Sequence, residues 1–246
     1  MEVRRFFSDD LSSKAGLCEL DKAQSHHIIN VLRLKTGDDV ELFDGKGCVA
    51  KAKIAVLGKA KVTCEILEKT VSGGYKPEAV FAIAMGLIKD KKMRFALEKL
   101  SEIGVYEFYP VICARSVPYF KNEADRQKKS GKWKKITVES AKQCQRNTSM
   151  GVCELTTLEQ FLDVSEGFQN KYFADMKAEN CLSGRLLNIS GSSICLIGPE
   201  GGLSAGEKDA LIRKYFCPVK LGVNILRSET AAIYAGVLQA DSHLKK

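Results

Sequence analysis

Histidine is scarce in this 246-residue sequence: there are three copies, and two of them are adjacent. Nine cysteines are present, yet no two stand in a C-x-x-C spacing. These gaps leave no zinc-ligand pattern to assemble, and no metal is expected. The odd count and scattered positions also argue against a disulfide framework, so most of the cysteines are read as reduced, small apolar groups. No uninterrupted apolar run reaches the roughly 18 residues of a membrane span. The start, MEVRRFFSDDLSS, has no apolar core behind its basic residues, so a cytoplasmic protein away from the membrane is expected. A G-x-x-x-x-G-K-[ST] phosphate loop is missing too, because Glu207 sits where lysine has to reach the phosphates. Nor does any G-x-G-x-x-G turn follow a strand. These two gaps argue against nucleotide hydrolases and against enzymes built on the dinucleotide fingerprint.

Charge is present in excess. The formal balance is +8, from 38 Lys and Arg against 30 Asp and Glu. It is unevenly spread: KNEADRQKKSGKWKKITVESAKQCQR, residues 121–146, holds nine basic and three acidic residues. Such a stretch is either a solvated helix face or a surface for a polyanion such as RNA backbone. Apolar residues make up 45% of the chain, ample for one large domain or two small ones.

The first 70 residues have strand character. CVAKAKIAVL (48–57) and AKVTCEILEK (60–69) are of strand length, and a Gly45-Lys46-Gly47 turn joins residues 40–43 to the first of them as a hairpin. Between 21 and 34, Ala23, His27, Val31 and Leu34 recur near helical spacing. A small β-barrel with one covering helix accounts for this region. TVSGGYKPE (70–78) reads as a linker. Beyond it strands alternate with helices: strands at 80–86, 106–113, 171–175, 193–197 and 217–222, with helices at 91–103, across the basic stretch, after 204 and from about 228. That rhythm implies a mainly parallel sheet covered on both faces. Two domains are therefore expected, 1–70 and 75–246.

Three stretches carry chemistry. ICLIGPEGG (194–202) drives an apolar strand into a glycine-rich loop. The helix behind it starts at a capping box, Ser204 with Glu207 three residues on. The loop is either a tight strand-to-helix turn or a place where backbone approaches a ligand. PVKLGVNILRSETAAIYAG (218–236) is a second strand–loop–helix passage, with a helix rich in Ala and Gly. The third is ESAKQCQRN (139–147).

Together with RRFF, HHIINVLRLKTGD, LFDGKG and KKMRFALEKLSEIGV, these stretches resemble the RsmE family over nearly the whole chain. Members of that family methylate N3 of a uridine in 16S ribosomal RNA. The resemblance implies a SPOUT-type α/β fold, a parallel sheet ending in a trefoil knot, with a PUA-like RNA-binding barrel ahead of it. It also implies S-adenosyl-L-methionine as cofactor, 16S ribosomal RNA in the 30S subunit as partner, and a homodimer. Carried over by position, Leu196, Ile197, Gly198, Glu200, Gly201 and Gly202 would form one cofactor wall. Leu221, Gly222, Ile225, Leu226 and Arg227 would form the other. Glycines suit this role because backbone can come within contact distance of a ligand. Glu200 is either a ligand contact or an acid favoured by a helix N-terminus.

Uridine N3 is a poor nucleophile until its proton leaves. Arg227 is the candidate for stabilising the resulting anion, and Glu229 the weaker candidate for a base. RNA contacts are expected from Arg5, Arg33 and Lys35 in the barrel, and from Lys142, Gln143 and Arg146. Two other readings remain: a SPOUT enzyme acting on another position, and an RNA-binding assembly factor without catalysis. His27 is read as packing. Trp133, the sole tryptophan, is a core anchor or a stacking platform.

Overall fold

The computed structural model describes residues 4–9, 11, 16–71, 80–117, 120, 122–187 and 189–244. The chain divides into two compact units. The first is Met1–Tyr75 together with Ala141–Ser149, and the second is Lys76–Ser140 together with Met150–Lys246. Most of the expected linker at 70–78 lies outside the described residues.

The first unit is built on a five-stranded sheet. Its strands are β1 (Arg5–Phe7), β2 (Leu17–Glu19), β3 (Asp39–Phe43), β4 (Cys48–Leu57) and β5 (Val62–Val71), in the order β1-β3-β4-β5-β2. Among the described residues only the β1–β3 pair is parallel. Alternate residues of β4, namely Cys48, Ala50, Ala52 and Ile54, point into one core with Phe6, Leu42, Val62 and Cys64. Between β2 and β3 lies α1 (Lys22–His26), capped by the Asp21 carboxylate, which accepts from Gln24 N at 2.7 Å. A wider π-helical turn, His27–Leu32, follows and ends at Arg33 in the left-handed region, φ 53°.

This turn corrects the expected stripe. A regular period would bury Ala23, His27 and Val31, but the buried positions are Gln24, Ser25, Ile28 and Leu34, and Val31 is exposed. Gln24, Ser25 and Ile28 keep α-helical spacing one residue on from the expected stripe, and beyond them the π turn adds a residue per turn, which leaves Val31 off that face. His27 meets the edge of Phe6, in keeping with a packing role.

Residues 141–149 belong to this first unit although 65 residues of chain separate them from Tyr75. Gly47 N donates to Asn147 O at 3.1 Å, and Ser149 N donates to Gly45 O at 2.9 Å. The Gly45–Gly47 turn is thus both a hairpin connection and a docking edge for this returning segment.

The second unit is a seven-stranded, wholly parallel sheet. Its strands are β6 (Phe81–Gly86), β7 (Glu107–Ile112), β8 (Gly151–Val152), β9 (Thr156–Thr157), β10 (Asn170–Ala174), β11 (Ser193–Ile197) and β12 (Cys217–Val219). The order is β12-β10-β11-β6-β7-β8, with β9 also against β7. Among the described residues the helices that accompany it are α2 (Asp90–Ile103), α3 (Glu123–Gln143), α4 (Leu158–Val164), α6 (Ala205–Arg213) and α7 (Ser228–Leu244), with a single turn, α5 (Leu182–Arg185).

Strand periodicity sends side chains to two cores. Ile83 and Met85 of β6, with Cys195 and Ile197 of β11, pack under α2, α7 and Trp133 of α3. Ala82, Ala84, Ile194 and Leu196 face α4 and α6 on the other side. Trp133 is therefore a core anchor, 4% exposed. The small residues of α7 let it lie close against α2. A Cβ on Gly236 would come within 3.0 Å of Leu100 Cδ2, so a larger residue here would press on that side chain. Gly104 closes α2 with φ 102°, and its N–H returns to Leu100 O and Ser101 O.

Candidate cofactor pocket

The pocket lies at the carboxyl ends of β10, β11 and β12, where open parallel sheets present their ligand sites. β11 ends at Ile197, and residues 198–203 turn sharply over it. Gly202 N donates to Pro199 O at 2.8 Å, and Gly202 has φ 69°, which only glycine adopts without strain. Gly86, the last residue of β6, supports this loop from below. A Cβ there would come within 2.5 Å of Pro199 Cδ and 2.6 Å of Pro199 N. Arg115 Nη1 donates to Gly201 O at 2.9 Å, and Lys92 Nζ lies 2.7 Å from Glu200 Oε1.

The capping box forms as read. Ser204 Oγ accepts from Glu207 N, and Glu207 Oε2 accepts from Ser204 N at 2.7 Å. The other oxygen, Glu207 Oε1, accepts from Ala114 N at 2.7 Å. The acid that stands where a phosphate loop carries lysine therefore fastens the α6 start to the segment after β7.

The second wall is the 220–227 segment. Lys220 exchanges backbone hydrogen bonds with Asn180 and Leu182, and Ala231 N donates to Arg227 O as α7 begins. The cavity between the walls measures about 590 Å³. Its apolar lining comes from Ile197, Leu203, Leu221, Ile225, Leu226 and Ala231. A charged side is supplied by Lys92, Arg115, Asp175, Glu200, Lys208 and Arg227. Asp175 Oδ2 accepts from Lys208 Nζ at 2.8 Å, and Asp175 Oδ1 accepts from Lys177 N at 3.1 Å. Burial pushes the Asp175 carboxyl up, but the Lys208 and backbone hydrogen bonds outweigh it and hold the pKa below its ordinary value.

Of the eleven residues expected to form the walls, Ile197, Gly198, Glu200, Gly202, Leu221, Ile225, Leu226 and Arg227 line this cavity. Leu196 points to the opposite face of the sheet. Gly201 and Gly222 stand outside the lining, and Gly201 packs against the Arg115 side chain, 3.1 Å from where its Cβ would be. Glu229 is buried in the first turn of α7 and is not in the lining. Its Oε2 has no hydrogen-bond partner among the described residues.

The six residues expected to touch RNA all fall in the first unit. Arg5 is largely buried, with its side chain 6% exposed. Its Nε lies 3.0 Å from Glu41 Oε1 in an ion pair, Nη2 donates to Asn147 Oδ1 at 2.6 Å, and the guanidinium sits 4.4 Å from the Phe43 ring centroid. Lys142 is half-buried, 5.8 Å from the Phe6 centroid, and donates to Gln24 Oε1 at 3.2 Å. Arg146 is also half-buried, and desolvation lowers its pKa. Arg33, Lys35 and Gln143 are exposed.

A model of the RNA methyltransferase domain matches residues 76–239, and a model of the RNA methyltransferase PUA domain matches residues 20–67. The ribosomal RNA small subunit methyltransferase E of Bacillus subtilis is 33% identical over 219 residues, 85% of this chain and 84% of that one. The chain belongs to the ribosomal RNA small subunit methyltransferase E family. Two solved structures extend the likeness to the fold. The Neisseria gonorrhoeae enzyme of that name, bound to S-adenosyl methionine, is 28% identical with a TM-score of 0.83, covering 96% of this chain and 95% of its own. A Legionella pneumophila protein in complex with the same cofactor is 26% identical with a TM-score of 0.88, covering 98% of both chains.

Several lining residues of this family member escape a reading of the sequence alone. Lys92, Arg115 and Lys208 are single basic residues in a basic chain, and only the fold brings them to the glycine loop. Asp175 had a usable signal, since it directly follows a parallel strand at its carboxyl end. Gly86 had one too, as a glycine closing a buried strand. Among the described residues no cluster of three or more His, Cys, Asp or Glu side chains gathers as metal ligands, and no helix is long and apolar enough to cross a membrane.

Proposed function

We propose that this chain transfers a methyl group from S-adenosyl-L-methionine to N3 of a uridine in 16S ribosomal RNA, acting on the 30S subunit in the cytoplasm. The observation that carries this reading is the pocket between the 198–203 and 220–227 segments, in a chain of this family. Its volume lies within the ~300–1,000 Å³ usual for small-molecule sites, and its chemistry fits the cofactor. Ile197, Leu221, Leu226 and Ala231 offer apolar surface for a flat purine. Gly198 and Gly202 bring backbone to the cavity surface, where its carbonyl and amide groups can meet the purine's hydrogen-bonding edges. Asp175 is an ionised acceptor suited to ribose hydroxyls, and Lys92, Arg115 and Lys208 suit a carboxylate.

When bound, the cofactor supplies an electrophilic methyl group. The protein's own part is placement and electrostatics, and alignment of reactants can contribute about 7–11 kcal/mol. Arg227 lines the cavity with an exposed side chain, so it can meet an incoming base and stabilise the anion left when N3 loses its proton. Glu229 is buried and outside the cavity lining, which favours stabilisation by Arg227 over proton removal by a dedicated base. The knotted C-terminal threading belongs to this reading: the chain leaving β11 passes beyond β10 to reach β12 at the sheet edge. So does a homodimer, supported by Val223, Ile225, Tyr234 and Val237, apolar yet exposed along the 220–227 segment and α7.

The test is methyl transfer from labelled S-adenosylmethionine to 30S subunits lacking the modification, with free 16S RNA alongside, and product mapping by nuclease digestion and mass spectrometry. A single 3-methyluridine is expected. Label on a ribose or on another base would overturn the reading. In single turnover, Arg227→Ala should lose more than ~10-fold, about 1.4 kcal/mol of transition-state stabilisation, and Glu229→Gln less. The reverse order would make Glu229 the base.

A further inference from the structure

A second cavity, of about 540 Å³, opens in the methyltransferase unit, between the start of α2 and one face of α3. None of its residues lines the cofactor pocket. Its α3 side is a helical stripe: Asp125, Lys128, Lys129, Lys132, Trp133 and Ile136 recur at spacings of three and four. Lys135 flanks the stripe, Asp90 and Arg94 come from α2, and Phe120 lies at the floor.

Floor and rim differ in character. Trp133 is buried and fixes the helix to the core, while Phe120 and Ile136 are partly buried against that core and present apolar surface upward. The rim has five cations against two carboxylates. Arg94 is occupied by Glu98 at 2.7 Å, and Lys129 by Asp90 at 2.5 Å. Lys129 Nζ also lies 5.3 Å from the Phe120 ring centroid. Among the described residues Lys128, Lys132 and Lys135 have no carboxylate within ion-pairing distance. From Lys128 to Lys135 is about 10 Å along the helix at ~1.5 Å per residue. Three unneutralised ammonium groups beside an apolar floor cost charge repulsion and offer the fold nothing in return. A polyanion with flat apolar bases supplies what both parts of the groove lack.

We propose that this groove binds a single-stranded stretch of the substrate RNA, outside the cofactor pocket, with Lys128, Lys132 and Lys135 on its phosphates. The inference rests on the reading of the protein as an RNA methyltransferase and adds a contact surface to it. Lysine is the fitting residue here, because a mobile point charge tolerates varied backbone geometry where the arginine fork demands one. The groove therefore holds RNA by charge and apolar contact, without reading its sequence.

The test compares wild type with a Lys128→Ala/Lys132→Ala/Lys135→Ala variant, using in-vitro transcribed 16S RNA and unmodified 30S subunits as probes. Binding is measured against salt, methyl transfer at varied subunit concentration, and S-adenosylmethionine affinity by calorimetry. Each phosphate contact on a single strand contributes about 0.7 to the slope of log K against log salt. The variant's slope should therefore fall by roughly 2. KM for subunits should rise at least tenfold, with kcat and cofactor affinity unchanged. An unaltered slope and KM, with wild type binding and methylating normally, would overturn the groove and leave the enzyme reading standing. Wild type that binds neither RNA nor subunits would overturn the enzyme reading, and the groove proposal with it. A variant with weakened RNA binding and equally weakened cofactor binding would show general damage, and Lys128→Arg/Lys132→Arg/Lys135→Arg then decides. Charge-preserving replacements restore the slope if the groove acts through charge, and failure to restore it overturns the proposal.

Discussion

Adding one methyl group to Gly86, which itself stands outside the lining, perturbs the cofactor pocket by pressing on Pro199 in its wall. The new Cβ would lie 2.5 Å from Pro199 Cδ and 2.6 Å from Pro199 N. Ordinary heavy-atom contact is about 3.5–4.0 Å, so the overlap is roughly 1 Å. Pro199 N is backbone in a turn closed by the Gly202–Pro199 hydrogen bond, and no rotamer change can move it aside. Gly86 closes the fully buried β6, paired with Val111 of β7 and directly after Met85, which is paired with both β7 and β11. The strand cannot yield, so the 198–203 loop must shift by about the overlap. Overpacking of this kind costs about 1–3 kcal/mol. Because the displaced backbone is the cofactor wall, most of that cost should appear in binding. Gly86→Ala is expected to raise the S-adenosylmethionine Kd at least ~10-fold, about 1.4 kcal/mol. Calorimetric titration measures it, and urea unfolding in parallel reports the share borne by the fold. Gly206→Ala is the control, since a Cβ there meets nothing within 4 Å. Affinity within twofold of wild type in Gly86→Ala would refute the reasoning, because the loop would then not depend on the missing methyl.

Two further outcomes can be checked by unfolding measurements. Asp175 has a depressed pKa: burial raises it, and the Lys208 and Lys177 N–H hydrogen bonds more than reverse that. Its pairing therefore stabilises the fold above the ordinary carboxylate pKa of about 3.9 and is lost as pH falls through the lower folded value. The stability gap between wild type and Asp175→Asn should be constant near neutral pH and shrink below about pH 4, and a gap that grows on acidification would contradict the assignment. Arg5→Ala should cost about 1–2 kcal/mol of stability in urea, since it removes a buried side chain that pairs with Glu41 and packs over the Phe43 ring. Arg33→Ala, at an exposed position, should stay within about 0.5 kcal/mol; equal effects would mean that Arg5 is not structural.

The fold was legible where local rules act alone. Cys48–Leu57 and Ser193–Ile197 have the predicted bounds, because an alternating run and a fully apolar run each specify one burial pattern. The α6 start was legible because Ser204 and Glu207 cap a helix through contacts three residues apart. The π turn at His27–Leu32 was not, since nothing in its residue types marks the widened turn. The pocket shows the same division. Its glycines and apolar walls sit in two continuous stretches. Lys92 meets Glu200 across 108 residues of chain, and that pairing follows from strand order alone.

The basic stretch shows why charge density along a sequence is a weaker guide than charge on a surface. Its nine cations look like one patch from residue 121 to residue 146. In the structure Lys128, Lys129, Lys132 and Lys135 turn toward the groove beside α2. Lys142 and Arg146 belong to the other unit, where both are half-buried and Lys142 donates to Gln24. A residue at the end of the run is thereby a packing element first, and a polyanion contact only with what exposure it retains. The two groups predict opposite experimental signatures. Lys142→Ala and Arg146→Ala should lower stability along with RNA affinity, whereas the three free lysines of the groove should lower affinity and its salt slope alone. If both sets moved the salt slope equally and neither moved stability, burial in the first unit would not be what separates them.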